Sequence, residues 1–455
     1  MENHEYSVGL DIGTTKIVAI VGKRNVHGKI EILGVGKAKS LGVHKGIVNN
    51  ISQTIQSIKA AVSEAQSSSG IPIHKVTVGI AGKHIRSLQH SDYIMRENPD
   101  QYITEDDIEK LKDQVKKLVM LPGEEIIHVL PQDYKVDSEG EIQEPIGMHG
   151  KRLEANFHVV VGQMGSIRNI ARCVKEAGLE MESLTLEPLA SSESVLTKEE
   201  KEAGVAIVDI GGGTTDIAIF KDNIIRHTCV IPYGGGIITD DIKEGCSIIE
   251  KHAEQLKVKF GSAVPELEKD STFVTIPGLH GRPDKEISLK TLAQVVNARV
   301  EEILEMVNTE LKAYGAFEQK KKLIAGIVLT GGGSNLRHLR QLANYTTGFD
   351  SRIGFANEYV ANDKNQQLKG PEYATSIGLL MESLKIRDKK SGIDQPEEMV
   401  EENIPVNTEN VLPLESPEFR TEEQVISQTA EKRRNKLTIG QKIMESVKKF
   451  FEEVE

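Results

Sequence analysis

A glycine-rich stretch, residues 208–217, holds the residue types best suited to chemistry. It reads Val-Asp-Ile-Gly-Gly-Gly-Thr-Thr-Asp-Ile and lies between two apolar runs. This pattern predicts a strand, a tight turn and a second strand. Successive glycines let several backbone N–H groups point at one ligand, which suits phosphate oxygens. Asp209 would bring a carboxylate able to hold a hydrated Mg²⁺ beside a triphosphate, and a glycine-rich hairpin without a ligand is the alternative.

Two further glycine turns favour the phosphate interpretation. Residues 8–21 read Val-Gly-Leu-Asp-Ile-Gly-Thr-Thr-Lys-Ile-Val-Ala-Ile-Val, so one apolar strand again runs into Asp-Ile-Gly and another leaves it. Residues 327–336 read Ile-Val-Leu-Thr-Gly-Gly-Gly-Ser-Asn-Leu and lead into a helical pattern. Two Asp-Ile-Gly hairpins followed by a Gly-Gly-Gly turn resemble the superfamily of ATP-binding proteins that contains actin, Hsp70 and the sugar kinases. The resemblance implies two phosphate loops and one adenosine loop.

Composition argues against several classes of protein. The 455 residues suggest two to four domains, and the net charge of -12 argues against nucleic acid as a partner. The three cysteines lie far apart, which indicates buried reduced thiols rather than a zinc site or a disulfide framework. No stretch approaches the roughly 18 apolar residues of a membrane span. The first residues enter a strand without the pattern of a signal peptide.

The order of strand and helix patterns predicts an α/β chain with an insertion. Alternating strand and helix patterns fill residues 1–82 and resume at 163–203. Between them, residues 83–162 are expected to form a small separate α/β domain. There Thr104 and Asp107 make a variant capping box that opens a helix.

The composition changes from about residue 388. Residues 388–431 have few large apolar side chains and an acidic excess, which predicts a disordered linker. Residues 432–455 begin with a basic cluster and continue as an amphipathic helix. Its apolar face includes Ile443, Met444, Val447, Phe450, Phe451 and Val454. A helix without a core beside it needs a surface, and the basic cluster favours an anionic membrane. A groove on a partner and the protein's own body are the alternatives.

The chain also resembles the FtsA family of bacterial cell division proteins. The resemblance covers about residues 5–386 and the tail, and it includes phrases at 78–85, 189–196 and 253–261. The first of these reads Val-Gly-Ile-Ala-Gly-Lys-His-Ile, the second Leu-Ala-Ser-Ser-Glu-Ser-Val-Leu and the third Ala-Glu-Gln-Leu-Lys-Val-Lys-Phe-Gly. The resemblance implies an α/β, actin-like, two-lobed ATPase fold with a small inserted domain and a disordered linker ending in an amphipathic helix.

The resemblance also implies a division of the chain. The first lobe would comprise residues 1–82 and 163–203, the inserted domain 83–162, the second lobe 204–232 and 306–387, and a further subdomain 233–305. The acidic linker would comprise residues 388–431, and the basic cluster with the membrane-targeting helix 432–455.

In function, the resemblance implies a protein that binds ATP and Mg²⁺ and polymerises with itself. Such a protein tethers the tubulin-like FtsZ ring to an anionic membrane surface and works with other division proteins. It would be peripheral, on the cytoplasmic side of the bacterial cell membrane at the division site. Hydrolysis would be slow at most, because no strong catalytic base is visible. The alternatives are an actin-like adaptor and an Hsp70-like or kinase-like ATPase outside division.

By the same resemblance, the nucleotide-binding residues lie in four segments. They are Asp11, Gly13, Thr14, Thr15 and Lys16 in the first phosphate loop; Asp209, Gly211, Gly212, Gly213, Thr214 and Thr215 in the second; Glu254 and Lys257 in a ribose and adenine helix; and Gly331, Gly332, Gly333 and Ser334 in the adenosine loop. The threonine hydroxyls would be donors to phosphate, and Asp11 and Asp209 would share Mg²⁺ through waters. The helix after the adenosine loop would offer free N–H groups.

Four acidic or histidine side chains need a separate interpretation. Glu187, just before Pro188, lies where related filaments keep a water-orienting residue. A helix-start carboxylate favoured by the helix dipole is the alternative for Glu187. Asp216, Glu244 and His252 are expected at the solvated surface.

Overall fold

The computed structural model describes most of the chain up to residue 390. The described residues are 6–25, 28–278, 283–356, 360–361 and 368–390. The predicted amphipathic helix 432–455 and nearly all of the predicted linker lie outside these ranges. No helix among the described residues combines the length and the apolar character needed to cross a membrane.

The N-terminal part of the chain alternates strands with one long helix. Its elements are β1 (Ser7–Ile12), β2 (Lys16–Arg24), β3 (Ile30–Lys39), β4 (Val43–His44), β5 (Ile47–Val48), α1 (Ile51–Ser69) and β6 (Lys75–Ile80). The Asn50 side chain accepts the N–H of Gln53 and so opens α1. Gly70, in the left-handed conformation, ends α1.

The next segment is a four-stranded antiparallel sheet with one helix, which we call the inserted sheet. Its elements are β7 (Ile85–Met95), α2 (Glu105–Val115), β8 (Glu124–Val136), β9 (Glu139–Ile142) and β10 (Arg152–Gln163). The strand order is β7-β10-β8-β9. The predicted capping box is confirmed, because the N–H of Thr104 donates to the Asp107 carboxylate at 3.2 Å.

After the inserted sheet the chain returns to the sheet formed by β1, β2, β3 and β6. The elements are α3 (Met164–Glu176), β11 (Glu180–Leu186), α4 (Glu187–Val195) and α5 (Lys198–Ala203). With β11 in place, the first lobe has a five-stranded sheet of order β11-β6-β1-β2-β3.

A second lobe follows. Its elements are β12 (Val205–Ile210), β13 (Thr215–Lys221), β14 (Ile224–Ile231), α6 (Gly235–Gly245), α7 (Glu250–Phe260), β15 (Phe273–Ile276), β16 (Lys285–Ser288), α8 (Leu289–Tyr314), β17 (Gly326–Thr330), α9 (Leu339–Thr347), β18 (Ser351–Ile353) and α10 (Ala374–Lys390). The helix α10 continues to Lys390, so residues 388–390 are helical rather than part of the predicted linker.

The two large sheets have the same topology. The second has the order β14-β13-β12-β17-β18, in which three antiparallel strands are followed by two parallel ones, as in the first. Every residue of β1 and of β12 is buried, because both strands are covered on both faces. This explains why both strands are continuous apolar runs with a single aspartate each.

The helices α4 and α10 pack into a layer that joins the lobes. One cluster of buried side chains contains Ile20 of the first sheet, Ile207 of the second and Ile377 of α10. Side chains alternate along a strand, so residues two apart share a face. Gly9 therefore meets α10 at the backbone of Leu380, and Asp11 faces the same helix.

The crossing of α4 and α10 predicts the effect of a single added methyl group. A Cβ at Gly378 would lie 1.8 Å from the carbonyl oxygen of Ala190. Gly378→Ala must therefore push the two helices apart, and we expect it to lower the free energy of unfolding by about 1–3 kcal/mol. Urea denaturation measures this change.

Gly165→Ala is the matched control. Gly165 lies in α3 and a Cβ there would meet nothing within 4 Å. Alanine in a helix is favoured over glycine by about 0.5–1 kcal/mol, so this variant should be as stable as the wild type or more so. A Gly378→Ala protein of wild-type stability would contradict the packing described.

Candidate functional site

The candidate site lies where the two Asp-Ile-Gly hairpins end their strands. Asp11 is opposite Val18 across the β1–β2 pair, and Asp209 is opposite Asp216 across the β12–β13 pair. The two aspartates therefore occupy equivalent positions in equivalent sheets. This symmetry brings both carboxylates to the layer between the lobes.

The two hairpin turns lie against each other. A Cβ at Gly212 would lie 1.8 Å from Thr15 Oγ1, and one at Gly213 would lie 2.6 Å from Thr14 Oγ1. Only glycine permits this approach. The backbone of the second turn is thus held directly against the threonines of the first.

Hydroxyl groups of α4 and α10 hold the two aspartates. Ser191 Oγ donates to Asp209 Oδ2 at 2.7 Å, and Thr375 Oγ1 donates to the same oxygen at 3.0 Å. Ser376 Oγ donates to Asp11 Oδ2 at 2.9 Å. Burial raises the pKa of both aspartates, and the neighbouring Asp209 raises the pKa of Asp11 further. The positive charge of Lys16 lowers the pKa of both aspartates but does not offset the effect of burial.

Lys16 is a cation whose charge acts on both carboxylates. Its Nζ donates to the carbonyl oxygen of Glu372 at 2.5 Å and lies 4.4 Å from the centre of the Tyr373 ring. Burial lowers the pKa of Lys16, while attraction to Asp11 raises it. The ammonium group is therefore fixed at the cleft by the segment that leads into α10.

Asp216 corrects the sequence prediction. It was expected at the solvated surface, but it is only 4% exposed. The strand β13 is covered on both faces, so the side chain opposite Asp209 has no route to solvent. Thr214 Oγ1 donates to Asp216 Oδ2 at 2.8 Å, and Oδ1 is buried without a hydrogen-bond partner among the described residues. Burial raises the pKa of Asp216 to about 8. By contrast, Glu244 is exposed, as expected, and His252 is half-buried.

Glu187 is the first residue of α4 and lies beside the aspartates. A Cβ at Gly79 would meet Glu187 Cγ at 2.9 Å, so the side chain lies across the end of β6. Burial raises the pKa of Glu187 well above its usual range, and the charges of Asp11, Asp216 and Asp209 raise it further. A carboxyl group in this environment holds a proton readily.

The threonines of the second loop have partners within the protein. Thr214 donates to Asp216, and Thr215 Oγ1 donates to the carbonyl oxygen of Tyr233 at 2.8 Å. Both hydroxyl groups thus have an acceptor within the protein, and their donation to phosphate stays a prediction.

The Gly331–Gly333 turn packs on Asp209 and Ile210, at the end of β12. Gly331 has φ 81° and a Cβ there would lie 2.2 Å from Asp209 Oδ1, so glycine is required on both grounds. Ser334 Oγ donates back to the carbonyl oxygen of Thr330 at 2.6 Å. A 3₁₀ turn spans Gly332–Asn335, and the predicted helix follows as α9, which begins at Leu339 and buries Leu339 and Leu342.

Glu254 and Lys257 form a network at the start of α6. Lys257 Nζ donates to the carbonyl oxygen of Gly235 at 2.7 Å and to Thr239 Oγ1 at 2.8 Å. Glu254 pairs with Lys257 at 2.7 Å and accepts the Thr239 hydroxyl. The two predicted residues are thus adjacent and hold α7 against the turn that contacts Gly211.

Sequence reasoning missed several residues of this site. Ser191, Thr375 and Ser376 bind the aspartates, and Glu372 binds Lys16 through its backbone. A signal was present, since small hydroxyl residues replace apolar ones on buried faces of α4 and α10. The six predicted membrane-binding residues, Ile443 to Val454, lie outside the described residues.

The raised pKa of Asp216 predicts a pH-dependent stability. In the unfolded chain the pKa of Asp216 would be about 3.9. Between about pH 4 and 8 the folded state therefore binds a proton that the unfolded state has released. The free energy of unfolding then falls as pH rises through this window, by up to about 1.4 kcal/mol per pH unit.

Asp216→Asn removes this titration while its amide oxygen still accepts the Thr214 hydroxyl. Urea denaturation of the nucleotide-free protein across the window should give a flatter profile and a more stable variant at the alkaline end. Parallel profiles for wild type and variant would contradict the buried, protonated state of Asp216.

Comparison with known protein families matches one model to residues of the second lobe and one to the inserted sheet. The family model described as "Cell division protein FtsA" matches residues 206–378. The model described as "SHS2 domain inserted in FTSA" matches residues 82–161. The second match covers the inserted sheet.

Known structures share the fold. The PilM–PilN complex of type IV pilus biogenesis has a TM-score of 0.62 at 16% identity, covering 83% of this chain and 98% of that one. MreB5 of Spiroplasma citri, in a structure bound to ADP, has a TM-score of 0.52 at 15% identity, covering 85% and 99%. The predicted α/β actin-like fold with an inserted domain is thereby confirmed.

Relatives of known family are much closer in sequence. The chain is 41% identical to cell division protein FtsA of Pseudomonas aeruginosa over 379 residues, which are 83% of this chain and 89% of that protein. It is 36% identical to FtsA of Neisseria meningitidis, with 87% and 94% covered, and 36% identical to FtsA of Escherichia coli K12, with 82% and 89% covered. With this identity over most of its length, the chain belongs to the FtsA family of bacterial cell division proteins.

Proposed function

We propose that this member of the FtsA family binds ATP with Mg²⁺, polymerises on the cytoplasmic face of the cell membrane and tethers the FtsZ ring there. The observation that supports ATP binding is the pair of glycine turns that lie against each other. Behind each turn is a buried aspartate whose pKa is raised. Family membership supports the division role.

The chemistry of the cleft fits a phosphate-bound divalent cation. Asp11 and Asp209 are buried with raised pKa values, so a cation between them relieves an unfavourable charge arrangement. Among the described residues, no group of three or more His, Cys, Asp or Glu side chains has the geometry of a metal site. Mg²⁺ here would therefore keep several waters and phosphate oxygens as ligands, which is its usual behaviour at nucleotide sites.

The remaining site residues have distinct proposed roles. The backbones of Gly13–Thr15 and Gly211–Thr214 would cradle the phosphates, and Lys16 would bring a positive charge to them. The turn Gly331–Ser334, with Glu254 and Lys257 across from it, would hold the adenosine part. When bound, ATP would supply the phosphoryl group that hydrolysis releases.

Glu187 is the proposed water-orienting residue. Its carboxyl group lies beside three other carboxyl groups, and its raised pKa makes it a better proton acceptor than an ordinary glutamate. It is also the first residue of a helix rather than part of a flexible loop. We propose slow hydrolysis that serves assembly rather than turnover of a substrate.

The proposed division of labour follows the sequence-predicted domains. Residues 1–82 with 163–203, and 204–232 with 306–387, would be the two lobes that enclose the nucleotide, with 83–162 inserted in the first. Residues 233–305 would form the subdomain that meets FtsZ, by family resemblance. The tail from residue 391 would connect the folded body to the membrane through the helix within 432–455.

Anionic lipid is the proposed binding surface of that helix. Phe450 and Phe451 are adjacent on its apolar face, and four basic residues, Lys432, Arg433, Arg434 and Lys436, precede it. Partial burial of large apolar side chains and attraction to anionic headgroups both favour the interface. One such helix binds weakly, so polymerisation would strengthen attachment by presenting several helices at once.

Asp209→Asn tests the nucleotide and metal assignment. We expect the variant to bind ATP about 10–100-fold more weakly than the wild type when Mg²⁺ is present, the range seen when outer-shell metal contacts are lost. In EDTA the two proteins should bind ATP equally, because the metal is absent from both. Isothermal titration calorimetry measures both affinities.

Asp106→Asn is the control for that experiment. Asp106 is an exposed residue in the first turn of α2, so its loss should leave ATP affinity unchanged under both conditions. Tight binding of ATP with Mg²⁺ by Asp209→Asn would refute the metal assignment.

Phe450→Glu with Phe451→Glu tests the membrane assignment. Each charged side chain opposes insertion of the apolar face, so the double variant should no longer pellet with anionic liposomes while its ATP affinity stays at the wild-type value. Phe273→Glu makes the same change at a phenylalanine that is 55% exposed in the folded body, and it should still pellet. A double variant that pellets like the wild type would show that the helix does not bind lipid.

A further inference from the structure

The inserted sheet is hydrogen-bonded to the edge strand of the second lobe. Gln132 Nε2 of β8 donates to the carbonyl oxygen of Ile225 at 2.7 Å. His158 of β10 lies with Nε2 2.8 Å from Thr228 Oγ1. Ile225 and Thr228 both belong to β14, so two side chains of the inserted sheet bind the edge strand of the second lobe.

The same strand β8 also contacts the first lobe. His128 lies four residues before Gln132 on this strand, opposite Val160 of β10. Its Nε2 accepts the backbone N–H of Leu186 at 3.0 Å. Burial lowers the pKa of His128 to about 4, so the ring is neutral near pH 7 and Nε2 has a lone pair for this bond.

Leu186 is the residue at which β11 becomes α4. It is the N-cap of α4, and a leucine has no side-chain atom that can cap the helix. The first backbone N–H groups of a helix need partners from outside it. His128 supplies the partner at the cap residue, directly before Glu187.

The orientation of Glu187 depends on this same turn. Its side chain reaches Gly79 on the neighbouring strand β6, to which β11 is paired at Thr185 and Leu186. A shift at Leu186 therefore moves the Glu187 carboxyl group relative to Asp11 and Asp209. Such a shift needs no change in the phosphate loops themselves.

We propose that His128 is a positioning residue for Glu187, and that the inserted sheet thereby sets the rate of ATP hydrolysis without contacting the nucleotide. This inference rests on the proposed nucleotide site. It adds that a residue outside the cleft affects the rate of hydrolysis there. The hydrogen bond of His128 to Leu186 carries this effect, and the bonds of Gln132 and His158 to β14 are not part of it.

Four variants separate positioning from stability. His128→Leu removes the acceptor, whereas His128→Gln places an amide oxygen where Nε2 lay and restores it. His128→Asn keeps a polar side chain that is too short to reach Leu186, and it replaces the leucine variant if that protein does not fold. Gln132→Leu is the matched control, since it breaks a buried bond of β8 to the second lobe and leaves Leu186 untouched.

Each protein is tested as the full chain with ATP and Mg²⁺. Titration calorimetry gives ATP affinity, single-turnover phosphate release gives the rate of the chemical step, and urea denaturation gives stability. Glu187→Gln, alone and combined with His128→Leu, completes a double-mutant cycle.

We expect His128→Leu to release phosphate at least about tenfold more slowly with ATP affinity unchanged, because a displacement of about 1 Å at a reacting group can cost about 100-fold. His128→Gln and Gln132→Leu should hydrolyse at the wild-type rate. In the Glu187→Gln background, His128→Leu should cause no further slowing, because its effect passes through the carboxyl group.

Several results would overturn the proposal. One is phosphate release at the wild-type rate in both His128→Leu and His128→Asn. A second is a loss of rate in Gln132→Leu as large as that in His128→Leu. A third is that His128→Leu slows phosphate release as much in the Glu187→Gln protein as in the wild type. Wild-type protein that binds ATP but releases no phosphate would overturn it as well. Failure of the wild type to bind ATP would instead refute the proposed nucleotide site, and this inference with it.

Discussion

The close approach of the two hairpin turns is the constraint on which the rest of the structure depends. Gly212 and Gly213 lie so near Thr14 and Thr15 that no side chain fits between them. Bringing two backbones together in this way requires that each be anchored behind the turn. The two sheets provide the anchors, since β1 and β12 are buried on both faces and cannot shift without exposing apolar side chains.

The same arrangement concentrates negative charge. Asp11, Asp209 and Asp216 end or flank the central strands, Glu187 begins the adjoining helix, and burial raises the pKa of each. Serine and threonine hydroxyls from α4 and α10 satisfy some of the oxygens but bring no charge. A cleft with this charge distribution is stabilised by a cation, which is the physical basis for the proposed Mg²⁺ and nucleotide.

The helical layer and the inserted sheet link the cleft to distant parts of the molecule. The helix α10 packs on both lobes and binds both aspartates, so it connects lobe placement directly to carboxylate position. The inserted sheet contacts β14 through Gln132 and the start of α4 through His128. The inserted sheet is thus hydrogen-bonded to both lobes, and α10 is hydrogen-bonded to both aspartates of the cleft.

The sequence by itself determined the α/β class, the insertion and the glycine turns, because apolar periodicity and glycine runs are local signals. The actin-like fold was expected from the resemblance to a known superfamily and not from these signals. It misplaced Asp216, since β13 is buried on both faces only after the lobes pack, and it missed Ser191, Thr375 and Ser376, which are distant in the chain from the aspartates they bind. It did not foresee the 3₁₀ turn after Gly331 or the close approach of Gly331 to Asp209. Burial and long-range pairing are properties of the packed chain, so only the tertiary structure decided which carboxyl groups share the cleft and which residues hold them.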